Sequence, residues 1–279
     1  MSYKTILVHC DDGRSLASRL AVAAGLAERH QAHLVGLHAR PPFQPPAFTE
    51  GAYPMDLFFR DYETAQAKSE ATASEAFAKA VKGREITSAW RSVDGHPDDL
   101  LAVHARYADL VVLGQSDPES GGLDQPADLP ESVAMATGRG TLVIPYIGTP
   151  KALGTNVMLC WNASRESARA ATEALPLLKA AGNVTILIID PQPTESGHGA
   201  EPGADVAAWL SRHGVKVTVQ RDVAADADVG SVILSRAMDH GTDLIVMGIY
   251  GHSRLREMVL GGASRTLLSS MTVPVFMAH

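Results

Sequence analysis

The chain has 279 residues, long for one core and comfortable for two domains of roughly 130–150 residues each. Its 46% hydrophobic and 20% charged content is ordinary for a globular protein, and the low 5% aromatic share suits helices packed closely on a sheet better than a β-sandwich. A net charge of −7 with no Lys/Arg run excludes a general binder of nucleic-acid backbones, and no apolar stretch approaches the roughly 18 residues of a membrane helix.

The chain opens MSYKTILVHCDDG, where a short apolar run meets Asp11 and Asp12 at once. That is no secretory leader, so the expected compartment is the cytoplasm. Apolar runs near 4–9, 33–39, 85–92, 109–114 and 140–145 read as strands, with helical spacing over 16–30 and 60–82 between them. Residues 40–60 carry Pro41, Pro42, Pro45, Pro46 and Pro54 and read as an irregular excursion. A turn-forming linker follows at 148–151. The same order then recurs, with strands expected near 155–161, 184–189, 215–221, 242–248 and 273–277 and a helix over 167–181. The run from Ala108 to Gly114 matches that from Thr242 to Gly248 closely, and the chain reads as a tandem duplication. Continuous apolar runs alternating with helices predict parallel strands buried on both faces, in two doubly wound α/β domains spanning 1–148 and 151–279.

Cys10 and Cys160 each end an apolar run, and they read as buried thiols at equivalent repeat positions. No CxxC spacing supports a redox pair. His9, Asp11 and Asp12 lie together after the first strand, and the plain reading is a solvated turn with a helix-start signal at Asp12-Gly13. His38 and His104 read as packed or half-exposed, with no metal-ligand spacing.

The segment with most chemistry runs GIYGHSRLREMVLGGAS, from Gly248 to Ser264. It leaves the carboxyl end of a buried strand, where open α/β sheets bind ligands, and leads into a helix beginning at Gly261-Gly262-Ala263-Ser264. Free amides at that helix start make an anion site, and glycine lets a bound group approach the backbone closely. His252, Ser253, Arg254 and Arg256 lie where one or more could reach a phosphate chain. The spacing is neither GxGxxG nor the Walker loop.

The pattern Gly248-x2-Gly251-x9-Gly261 after Asp-Leu-Ile-Val-Met-Gly resembles the ATP-binding signature of universal stress proteins. The resemblance covers the whole chain as two such domains, the first a worn copy. It implies five parallel strands per domain in the order 3-2-1-4-5, flanked by helices, with ATP, with or without Mg²⁺, at the ends of the first and fourth strands. Carried over, Met247, Gly248, Gly251, Gly261, Gly262, Ala263 and Ser264 line the phosphates and ribose; His252, Ser253 and Arg254 are candidate phosphate contacts by their position on the intervening segment, not by the resemblance. Trp161, Asn162, Ala163, Ile188 and Ile189 lie near the base. Asn162 stands where the family has aspartate, and Gly262 where it often has Ser or Thr. No metal site of the protein's own and no catalytic residue is expected.

In the first half Asp117 replaces the second glycine, and Asp128, Pro130 and Glu131 replace the third cluster, so no triphosphate is expected there. The resulting expectation is a nucleotide-binding stress or signalling module with an unidentified protein partner. A slow ATPase or adenylate-using enzyme, and a nucleotide-free scaffold, are the alternatives; Glu257 is the only carboxylate of the glycine segment. In single-domain relatives the fifth strands pair two chains. Here the two halves are expected to pair internally as a pseudo-dimer, with homodimerisation of whole chains left open.

Overall fold

A computed structural model describes residues 2–45, 55–117, 128–148, 152–191, 199–249 and 262–279. In chain order the first half gives β1 (Thr5–His9), α1 (Leu16–His30), β2 (His33–Arg40), α2 (Met55–Val81), β3 (Ser88–Asp94), α3 (Pro97–Ala105), β4 (Leu110–Gly114), α4 (Leu129–Thr137) and β5 (Gly140–Ile144). The second gives β6 (Asn156–Cys160), α5 (Arg165–Glu173), α6 (Leu175–Ala180), β7 (Asn183–Ile189), α7 (Ala204–Arg212), β8 (Val217–Asp222), α8 (Val229–Asp239), β9 (Leu244–Gly248), α9 (Gly262–Ser270) and β10 (Val275–Ala278).

Each half orders its strands 3-2-1-4-5, as expected, but the two sets form one ten-stranded sheet, β3-β2-β1-β4-β5-β10-β9-β6-β7-β8. Every pairing within a half is parallel, and the join between β5 and β10 is antiparallel, with Val143 opposite Val275 and Leu142 opposite Phe276. Gly140 is needed at this seam, because a Cβ there would overlap the fully buried Phe276 ring. The seam also shares helix caps. Gln115 Nε2 donates to Leu268 O at 2.8 Å in the last turn of α9, and Arg169 Nη2 donates to Gly138 O at 2.7 Å beyond α4. Both carbonyls lie at or just past a helix end, where no intrahelical donor remains.

Strand alternation sends side chains to opposite layers. One continuous apolar cluster, including Ile6, Leu34, Leu159, Ile186 and Phe276, lies under α1, α2, α5, α6 and α7. The opposite face carries one cluster around Leu37 and Leu101 and another around Ile245 and Leu267.

Two expectations need correction. The helix expected over 167–181 breaks at Ala174 into α5 and α6, because Pro176 in the first turn of α6 has no N–H to continue the ladder. Cys10 and Cys160 are also not equivalent. Ile6 faces Leu110 on the fourth strand as Val157 faces Leu244, which matches His9 to Cys160 and Cys10 to Trp161.

Candidate functional site

Counting on from that register, Asn162 answers to Asp11, Ser164 to Gly13 and Ala170 to Arg19. After each first strand the chain makes the same turn. Ser164 N donates to Asn162 Oδ1 at 3.2 Å, and Gly13 N donates to Asp11 Oδ1 at 2.9 Å. Ala163, inside the second turn, is held at φ 58°, a left-handed conformation that a Cβ disfavours. Ser164 then caps α5 by accepting from Ser167 N at 3.1 Å. Its counterpart Gly13 has no side chain to do so, and α1 starts later, after Ser15.

Gly248 ends β9 directly beneath the first turn of α5. A Cβ there would lie 2.5 Å from the carbonyl carbon of Glu166 and from Ser167 N. Close approach of the helix backbone therefore fixes glycine at this position. The Glu166 carboxyl is buried, which alone would raise its pKa. Hydrogen bonds from Arg165, its own backbone N–H and Ser164 outweigh burial and hold it low.

Ile188 and Ile189 occupy the end of β7 but face opposite layers. Ile188 is fully buried towards Gly203 and Val219, whereas Ile189 packs with the α8–α9 cluster. Their side chains therefore lie on opposite faces of the sheet. Trp161 leaves β6 half-buried, its N–H donating to Leu187 O at 2.9 Å, and Met247 is buried among the α8–α9 contacts. α9 opens at Gly262, as expected, with Ala263 and the buried Ser264 in its first turn. Gly251, His252, Ser253, Arg254, Gly261 and Glu257 lie outside the described residues.

Two acidic groups near these strand ends were missed by sequence reasoning. Asp190, directly after β7, sits at φ 47° and accepts from Ala224 N at 3.2 Å, latching the ends of β7 and β8. Its signal was an aspartate at a strand end, a residue that tolerates left-handed backbone. Asp228 caps α8 through Ser231 N at 3.0 Å, and its Oδ1 lies 3.5 Å from where a Cβ on Gly262 would stand. No local pattern links Asp228 to α9, because the contact joins separate helices.

The first half is built differently at the same place. The solvated turn expected at His9 and Asp11 is instead a packed ionic cluster. Arg19, only 1% exposed, ion-pairs with Asp11, and its Nη1 lies 2.6 Å from where a Cβ on Gly114 would stand. His9 Nδ1 is 3.6 Å from Asp11 Oδ2. Burial pushes the His9 pKa down to about 4 despite the attraction of Asp11, so the ring is neutral near pH 7. Asp117 pairs with Arg14 at 2.6 Å, so its charge is answered within the protein. His38 is packed as expected, 3% exposed, with Nδ1 2.7 Å from Cys10 O. Burial raises both Cys10 and Cys160 to about 12, which leaves them protonated and inert. Among the described residues no cluster of three metal-ligating side chains forms, and no helix is long and apolar enough to cross a membrane.

The sequence profile of the universal stress protein family matches residues 2–125 and again 155–279. The chain belongs to the universal stress protein family. Two solved proteins share the fold over nearly the whole chain. A universal stress protein from Archaeoglobus fulgidus is 14% identical over 98% of this chain and 95% of its own, with a TM-score of 0.71. A protein from Pseudomonas aeruginosa described as a putative universal stress protein is 14% identical over 99% and 93%, with a TM-score of 0.58. A universal stress protein solved in complex with cAMP is 21% identical over 53% of this chain and all of its own, at a TM-score of 0.33. No curated protein matches the chain.

Proposed function

We propose that this universal stress protein binds ATP in its second domain, 151–279, and acts as a stress or signalling module. The first domain, 1–148, serves as a nucleotide-free partner. The carrying observation is that β9 ends at Gly248 and α9 opens at Gly262, the strand and helix required at either end of the glycine pattern. At the ends of β9 and β6 stand Gly248, against the first turn of α5, and the tight turn at Asn162-Ala163. Arg19 stands behind Gly114 in the first domain, where the second has Ala170. That filling supports the nucleotide-free assignment.

The amides of α9 and the side chains of Ser253, Arg254 and Ser264 hold the phosphates in this reading. Trp161, Asn162 and Ile189 flank the nucleoside. The Asp228 carboxylate stands beside Gly262, and its charge would be offset by Mg²⁺ bound with the nucleotide. Ligand occupancy orders the surface offered to a protein partner. Extraction of the purified chain should return about one ATP per chain, and Gly251→Asp should abolish binding with the circular dichroism spectrum unchanged. A Gly251→Asp chain that bound ATP normally would refute this loop assignment; ADP accumulating with time would point to the enzyme reading instead.

A further inference from the structure

At the outer edge of the first half a cavity of about 390 Å³ opens over the carboxyl ends of β2 and β3, against the start of α2. Its size is that of a small-molecule site. Three aromatic side chains form part of the wall. The Phe43 ring stands at 89° to Phe59, with centroids 5.6 Å apart, and at 57° to Tyr62, 5.3 Å away. Rings inclined in this way make a corner rather than a closed stack. Tyr62 is held in place by its hydroxyl, which donates to Pro41 O.

The polar groups of the wall are biased towards one charge. Pro41 and Pro42 bring carbonyls but no N–H donors. Arg40, the one cation among the described residues of the lining, is already matched: its Nε lies 2.9 Å from Asp94 Oδ1 and its Nη1 3.5 Å from Glu70 Oε2. Glu63 also lines the cavity and has no ion-pair partner among the described residues. Aromatic surfaces beside an unmatched carboxylate suit a positive ligand, which the ring quadrupoles attract and an anion would not be.

We propose that this cavity binds a small organic cation of the quaternary or alkyl ammonium class, against Phe43, Phe59 and Tyr62 and in the field of Glu63. The site is separate from the glycine segment, and its test does not depend on ATP binding. The full chain is titrated with choline and with the uncharged isostere in which carbon replaces the ammonium nitrogen, followed by calorimetry. Choline should bind saturably, with the isostere weaker by about fivefold or more. Glu63→Gln and Phe59→Leu, both at exposed positions, should each weaken choline by about threefold or more at unchanged melting temperature. Three results would overturn the proposal: no saturable choline binding, equal binding of the isostere, or displacement of choline by AMP.

Discussion

Asp11 and Asn162 hold the same turn in the two halves, yet their surroundings diverge. Asp11 carries a charge, and Arg19 enters the core to meet it; Asn162 is neutral, and Ala170 leaves that space without a cation. The fourth strands differ in parallel. Gly114 is backed by a guanidinium, Gly248 by the backbone of a helix. An Asp and Arg paired in the first half thus stand where the second half has Asn and Ala, and the second strand end instead carries the first turn of α5, with the buried Glu166, against Gly248. A buried charge is tolerated only with its partner, so these residues must change together.

The largest test of that pairing is Arg19→Ala, which removes the guanidinium from Asp11 and should destabilise the chain by about 4 kcal/mol in urea unfolding. Adding Asp11→Asn, to imitate the second half, should restore about half of that loss. If the two substitutions simply add, the comparison fails. Gly248→Ala presses a methyl into helix backbone and should cost about 3 kcal/mol. Gly114→Ala meets mainly side-chain atoms and should cost about 1 kcal/mol less than that.

Acid should expose the same asymmetry. His9 is depressed to about 4 in the fold against 6.5 unfolded, so the unfolded chain takes up its proton first. Stability is full above pH 6.5 and falls as pH drops towards 4, by about 3 kcal/mol in all. His9→Leu should flatten that part of the pH profile, because leucine takes up no proton in either state. At the other half, Asp228→Asn keeps a competent helix cap while removing a charge beside Gly262. Mg²⁺-free ATP affinity should rise by about threefold. The smallest effect is expected from Ala163→Gly, which relieves left-handed strain and should stabilise by up to about 1 kcal/mol.

The strand positions and the span of α1 were legible because buried parallel strands leave unbroken apolar runs and α1 leaves a regular period, whereas the strand order came from the family resemblance alone. Pro176 was equally legible as a breaker, but the Ala-rich period around it argued for one helix, and the missing N–H decided otherwise. Arg19 could not be read as buried. An arginine on a helix is ordinarily solvated, and only a loop that returns Asp11 to its side makes burial tolerable. Ile188 and Ile189 were placed together by adjacency, while alternation separates them. The glycine pattern located the ends of β9 and α9, but not Asp228, whose approach depends on how α8 packs against α9.

The antiparallel join of β5 to β10 has a consequence for inheritance. When two separate subunits pair through such strands, dilution undoes the pairing, and each copy must keep every function. Once both copies lie on one chain, the pairing no longer depends on concentration. One copy is then released from selection for its own ligand and can diverge while still completing the sheet of the other.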